Sequence, residues 1–186
     1  MKDKIAYHAI RLFDENGFHG TAMRDIGEAV QCKMPTVYYH YKNKEDLFDQ
    51  VVRVSFEKMV VRLENKLPKG LTLPEVCIIR VIQKKNLSED DRITYRLAIK
   101  TWLGFEGCEA SRQKLLQWEQ KRYKQNELEY AKIISSPMWV KFITRSTASI
   151  IERIILLEEI PSDDEIKEEI LMIFEVAMHH NKNNNK

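Results

Sequence analysis

Six glycines and five prolines are the only strong chain breakers in 186 residues, and residues 36–67 and 108–136 pass without either. That scarcity limits the fold more than any other property. An all-β domain needs turn residues every about 8–12 positions. The apolar spacing points the other way. Ile5, Ala9, Leu12 and Phe13 recur on one face of a helix. Gly17 is placed to stop that helix, and Thr21 to cap a second, which carries Met23, Ile26, Ala29 and Val30 inward. Pro35 fits the first turn of a short third helix, about Met34 to Tyr41. A fourth runs from Glu45 to about Lys66, capped near Asn43 or Lys44. It is apolar on more than one side, through Leu47, Val51 and Val54 and through Phe48, Val52, Phe56, Met59 and Leu63. Such a helix can bridge two bodies. Helices follow at Leu73–Asn86, from a Ser88 cap to Phe105, at Ser111–Ile134, through Val140–Ile155, and after a Ser162 cap. The Asn-rich tail, His179 to Lys186, is expected to fray. The chain is read as all-α.

Hydrophobic residues make up 44% and charged residues 31%, enough for a packed core and unlike a disordered segment. The formal charge of +2 excludes a polybasic nucleic-acid scavenger. Residues 80–145 hold 14 basic and 8 acidic side chains, residues 146–186 hold 4 and 9, and the first 44 hold 7 and 5. Bulk charge therefore does not mark the N-terminus. Cys32, Cys77 and Cys108 are far apart and form no metal-ligand spacing, so no structural metal is expected. His179-His180 is discounted as a metal pair. No apolar run reaches the length of a membrane span, and the charged start is not a signal sequence, so a cytoplasmic protein without membrane attachment is expected. No phosphate-binding glycine loop, nucleophile elbow or HExxH is present. Neither an enzyme nor a cofactor is expected.

The segment Thr21 to Lys44 has the layout of a helix-turn-helix. A small residue, Gly27, stands where a second helix would cross the first closely. Ile26, Cys32 and Val37 tie the helices together. Pro35-Thr36-Val37-Tyr38-Tyr39-His40-Tyr41 supplies a short helix too rich in tyrosine and histidine to be all core. Its outward groups suit base edges and phosphates.

The run Thr21-x-x-x-Asp25-Ile26, followed by Pro35 through Lys44 and preceded by Leu12-Phe13 and Gly17-Phe18, resembles the N-terminal domain of the TetR family of bacterial transcriptional regulators. The resemblance covers about residues 1–50; beyond that it extends only to length, helix content and polarity. It implies that Thr21 and Arg24 touch phosphate. It implies that Lys33, Met34, Pro35, Thr36 and Tyr39 face the major groove, and that Tyr38, His40 and Lys44 meet phosphates. The turn position usually held by Gly is Gln31. If it takes a positive φ, the cost is about 1 kcal/mol.

The expected organisation is a helix-turn-helix DNA-binding domain at 1–46 and a helical effector-binding and dimerisation domain at 47–186, joined by the bridging helix. Stripes on the last two helices, Ile143, Thr147, Ile150, Ile151 and Ile154 with Ile166, Ile170, Ile173, Phe174 and Ala177, either close the monomer core or form a four-helix bundle with a second copy. The resemblance favours the homodimer. It also implies an inducer pocket among the large side chains of the middle helices, Tyr95, Trp102, Phe105, Trp118, Tyr123, Met138, Trp139 and Phe142. Arg96, Lys100 and Arg145 either meet an anionic effector there or lie in solvent. The function this implies is a repressor bound to a near-palindromic double-stranded operator and released by a small-molecule effector. The alternatives are a regulator governed by a protein partner, an activator, or a helical module without a DNA role.

Overall fold

Local capping accounts for several helix starts. The structure, a computed structural model, describes residues 1–183, and these are helical without a strand. The helices are α1 (Lys2–Gly20), α2 (Met23–Val30), α3 (Met34–His40), α4 (Lys44–Phe48), a π-helical segment (Asp49–Val54), α5 (Ser55–Glu64), α6 (Leu73–Lys85), α7 (Glu89–Leu103), α8 (Glu109–Tyr130), α9 (Pro137–Leu156) and α10 (Asp163–Asn183). Asn43 Oδ1 accepts from the Asp46 N–H at 2.8 Å, Ser88 Oγ from Asp91 at 3.3 Å and Ser162 Oγ from Glu165 at 3.1 Å. Each satisfies an amide that the first helical turn leaves unpaired. The tail departs from expectation, because α10 continues through His179 and His180 to Asn183. Residues 184–186 lie outside the described residues.

The described chain divides into two compact units. The first joins residues 1–61 with 88–118. Packing thus groups α7 with the N-terminal helices, a grouping that a cut at residue 46 does not convey. The expected fourth helix is not one regular α-helix, since the π-helical segment interrupts it. There the Arg53 fork donates to both Asp49 carboxylate oxygens at 2.7 Å, and Nη1 donates to Glu57 at 2.9 Å. Ser111 Oγ donates to Asp49 at 3.0 Å. Burial raises the Asp49 carboxyl, but these bonds outweigh it and hold the group below the ordinary carboxylate range. Leu47, Phe48, Val51, Val52 and Phe56 are buried together. The two apolar faces therefore mark a helix sunk in a core. The Phe56 ring lies 5.0 Å from Tyr95, 5.6 Å from Trp102 and 5.0 Å from Trp118.

The second unit joins residues 62–87 with 119–186. In it α6, α9 and α10 pack against one another. Their apolar stripes face inward, which places Val81, Val140, Ile143, Ile150, Ile166, Ile170 and Phe174 in its core.

Candidate nucleic-acid interface

The N-terminal helices are locked by small residues at tight places. Gly17 takes φ 73 and ψ 170 and breaks the helical path of α1, so that Phe18 turns into the core. Thr21 is 1% exposed, and its hydroxyl donates to the carbonyls of Leu12 at 3.0 Å and Gly17 at 2.8 Å. Ala22, not Thr21, precedes α2, and its N–H donates to Asp25 at 2.8 Å. Gln31 sits in the left-handed region at φ 56, ψ 45. There its N–H and that of Cys32 reach the carbonyls of Glu28 and Gly27, both at 3.0 Å. This helix ending is the one glycine ordinarily serves. Gly27 lets α3 approach closely: a Cβ there would lie 2.9 Å from Met34 Sδ, and the Met34 side chain would have to move aside.

With Ile26 and Val37 fully buried beneath it, α3 presents one face outward. Tyr38 is 52% and Tyr39 84% exposed. Lys33 and Pro35 are exposed beside them, and Met34, Thr36 and His40 are half-buried. Arg24 is exposed on α2, 3.5 Å from Glu28. Nine of the ten residues expected to meet DNA therefore have accessible surface at or near α3. Thr21 does not: it is buried, and its hydroxyl hydrogen is engaged within the fold. Tyr41 also differs from its neighbours, being a core residue. Burial, then Asp3 and Asp46, raise its phenol above the ordinary value. Ala29, expected inside, is exposed.

Lys44 has two contacts of its own. Its Nζ donates to the Phe18 carbonyl at 2.8 Å and lies 4.4 Å from the Phe18 ring centroid. The Phe18 N–H donates to Glu106 Oε2 at 3.0 Å. One residue at the kink of α1 is thus gripped at both its polar atoms, by a cation from α4 and a carboxylate from the α7–α8 connection. Gly107 follows at φ 86, with the Phe48 ring where a Cβ would stand, 2.7 Å away. Glu106 escaped the sequence reading because Gly104-Phe105-Glu106-Gly107 carries only a break signal. An acid between close-set glycines was the available hint.

The expected effector residues do not line one common cavity. Tyr95, Trp102 and Trp118 fill the core around Phe56. Phe105 is exposed. Trp139 and Phe142 pair edge to face at 5.4 Å on α9. Tyr123 borders a cavity of the second unit, with Lys84, Arg80 and Arg122, which the sequence reading did not select, and Met138, Phe142 and Arg145 line another on α9. Arg96 is paired with Asp14, its Nε donating at 3.0 Å. All ten residues of the expected dimer stripes are buried within the single chain. Their area closes the second unit's core and is not on offer to another copy. The exposed apolar residues of α9 and α10 are instead Met138, Phe142, Leu171, Met172, Val176 and Met178.

Comparison with known proteins agrees with this geometry. Residues 7–51 match the model of the bacterial regulatory proteins of the tetR family. The biofilm operon icaADBC HTH-type negative transcriptional regulator IcaR of Staphylococcus epidermidis is 43% identical over 60 residues, 32% of each chain. That of Staphylococcus aureus strain Newman is 42% identical over 69 residues, 36% of this chain and 37% of the relative. The match thus spans about a third of the length of these curated relatives. Among solved structures, a TetR-family regulator from Rhodococcus sp. superposes with a TM-score of 0.70 at 13% identity, covering 95% of this chain and 98% of that one. The multidrug binding protein EbrR, solved with malachite green, gives 0.68 at 15% identity over 93% and 97%. At such identity these two speak for the fold alone. No helix among the described residues is long and apolar enough to cross a membrane. The N-terminal domain belongs to the TetR family of bacterial regulatory proteins, and the described chain has that family's all-helical fold.

Proposed function

We propose that the chain is a sequence-specific DNA-binding repressor, acting as a homodimer and released from a near-palindromic operator by a small-molecule effector. The reading rests on one observation above all: α3 turns Pro35, Tyr38 and Tyr39 to solvent, with Lys33 exposed just before it, over a core closed by Ile26 and Val37. Aromatics this exposed contribute little to packing, whereas a helix of this kind fits the major groove. Residues 1–46 form the DNA-binding part, and 47–186 serve effector binding and dimerisation. Thr36 and Pro35 would read a thymine methyl by apolar contact. Arg24, Tyr38, His40 and Lys44 act on phosphates, which fix register without reading sequence.

A two-fold dimer sets its recognition helices at half-sites about 34–36 Å apart, or a multiple of that. The exposed apolar residues of α9 and α10 support a contact between copies. The similarity to negative regulators supports repression, and the EbrR complex supports a small-molecule ligand. Release requires that the effector bind a conformer with poor DNA affinity better than the DNA-bound one. The preference equals the factor by which DNA affinity falls.

Capture of genomic fragments by the purified protein at physiological salt, followed by sequencing, tests the reading. A few sites sharing a near-palindrome are expected. Tyr39→Ala should abolish their enrichment, and Lys44→Met should weaken binding to all sequences and flatten the salt dependence by about one unit. Uniform capture, or enrichment unaltered by Tyr39→Ala, refutes it.

A further inference from the structure

Between α6, α8 and α9, within the second unit, lies a cavity with a free volume of about 30 Å³, room for one or two waters. Lys84 is the notable residue in its wall. The side chain has no exposed surface, and its Nζ has no hydrogen-bond partner among the described residues. A lysine in that position ordinarily carries a carboxylate beside it, because a bare buried cation costs several kcal/mol. Here two further cations line the same wall, Arg80 from α6 and Arg122 from α8. Each is held by a carboxylate outside the lining: Arg80 Nη2 lies 2.7 Å from Glu64 Oε2, and Arg122 donates twice to Glu119 at 3.0 Å. These pairings hold the guanidiniums in place and leave Lys84 without a hydrogen-bonded carboxylate, Glu64 acting on it only through space. The Asn126 amide and the Tyr130 hydroxyl add polar groups to the wall.

We infer that this cavity is a binding site for a small oxyanion, either a free inorganic ion or the carboxylate of a small organic acid, seated on Lys84 between Arg80 and Arg122. The anion supplies the charge that Lys84 lacks and accepts hydrogen bonds from its three N–H groups. The cavity's size selects a compact head group and excludes a drug-sized ligand. That the anion is the effector rests on the repressor reading above; that it binds does not.

Protonation offers an independent signature. Burial first, then Arg122 and Arg80, push the empty-site Lys84 down to about 8, with Glu64 opposing. The other titratable groups facing this region are Glu119, Glu152, Cys77 and Tyr130. Glu152 is raised by burial and Glu119, and Cys77 and Tyr130 are raised chiefly by burial, so neither thiol nor phenol ionises near neutrality. An anion favours the charged lysine. Its binding therefore takes up protons near pH 8 and weakens roughly tenfold from pH 7 to pH 9 if only the charged form binds.

The test titrates the full chain, without DNA, with sodium acetate, inorganic phosphate, acetamide and sodium chloride at matched ionic strength. Acetate or phosphate should raise the melting temperature with the logarithm of concentration, as ligation of the folded state requires. Whichever acts identifies the source as organic acid or inorganic ion. Calorimetry of wild type in two buffers of different ionisation heat should show proton uptake. Lys84→Gln should weaken binding at least tenfold. An equal effect of acetamide or chloride, a Lys84→Gln affinity equal to wild type, or no effect of either oxyanion overturns the site. The same anion is then added to captured genomic DNA. Release supports the effector role; anion binding with unchanged capture overturns that role alone. Absent DNA capture would bring down the repressor reading and leave the anion site to its own thermal and calorimetric result.

Discussion

Replacing Lys84 with Met should make the protein more stable, although the residue is completely buried. The ammonium is fully enclosed and unpartnered. Its value falls from an ordinary 10.5 to about 8, with burial the largest cause and Arg122 next. A shift of that size corresponds to about 3 kcal/mol by which the folded state disfavours the charged form. The sign follows from proton counts. Between pH 8 and 10.5 the unfolded chain binds more protons at this lysine than the folded chain, so this group's contribution to stability rises with pH across that window. Below pH 8 both states hold the proton and the full penalty stands. Met fills most of the same length and carries no charge. Urea unfolding at pH 7 should show the variant ahead by about 3 kcal/mol, through a higher midpoint at constant slope. The lead should shrink towards zero as pH approaches 10.5. Oxyanions should be left out of the buffer, since they would stabilise wild type alone. A variant less stable than wild type at pH 7, or a difference independent of pH, would show that Lys84 has a counter-charge in the folded chain, and the reasoning about the cavity would fail with it.

Gln31→Gly should stabilise the fold by about 1 kcal/mol, because glycine takes the φ of 56 without strain; thermal melting reads it, and a loss would mean the Gln31 side chain has an unseen partner. Val37→Ala should cost about 2 kcal/mol in chemical denaturation, as expected for a small cavity beneath α3. Tyr39→Ala should leave stability within about 0.5 kcal/mol of wild type, since the ring is solvent-exposed; paired with lost DNA capture, that separates an interface residue from a structural one. Glu106→Ala should cost about 1–3 kcal/mol by leaving the Phe18 N–H without its carboxylate, measured by urea titration; an unchanged midpoint would place that bond among those water replaces freely.

The helices and the exposed face of α3 were legible because each rests on local rules. Asn43, Ser88 and Ser162 cap where hydroxyl or amide side chains precede an apolar period, and Gly27 stands where Met34 must approach. What depends on tertiary packing was not. Thr21 has the composition of a surface cap, yet the kink at Gly17 folds two carbonyls over its hydroxyl. The isoleucine stripes of α9 and α10 carry the same period whether they face a partner or each other, and periodicity holds no information about which. Lys84 lies in a basic stretch, Lys84-Lys85, that reads as solvated. Only packing separates the two: Lys84 is enclosed, while Lys85 pairs with Asp163.

Residues that weaken a fold without a structural return are the ones to read for function. Three sites here have that character. Tyr38 and Tyr39 expose aromatic surface on a helix too short to hold itself together by propensity, and DNA is the partner that would cover it. Lys84 buries a charge at a cost of about 3 kcal/mol, and an anion would remove the cost. These two lie in different units, and on the readings proposed above one would meet a polyanion and the other a small anion. Gln31 is the third, strained at φ 56, and nothing in the structure explains why glycine does not stand there. The contrast is useful. Strain at Gln31 belongs to the ending of α2, whereas Tyr39 and Lys84 each sit among groups that share one chemistry. It is that convergence, not the cost alone, that singles them out for the two tests proposed above.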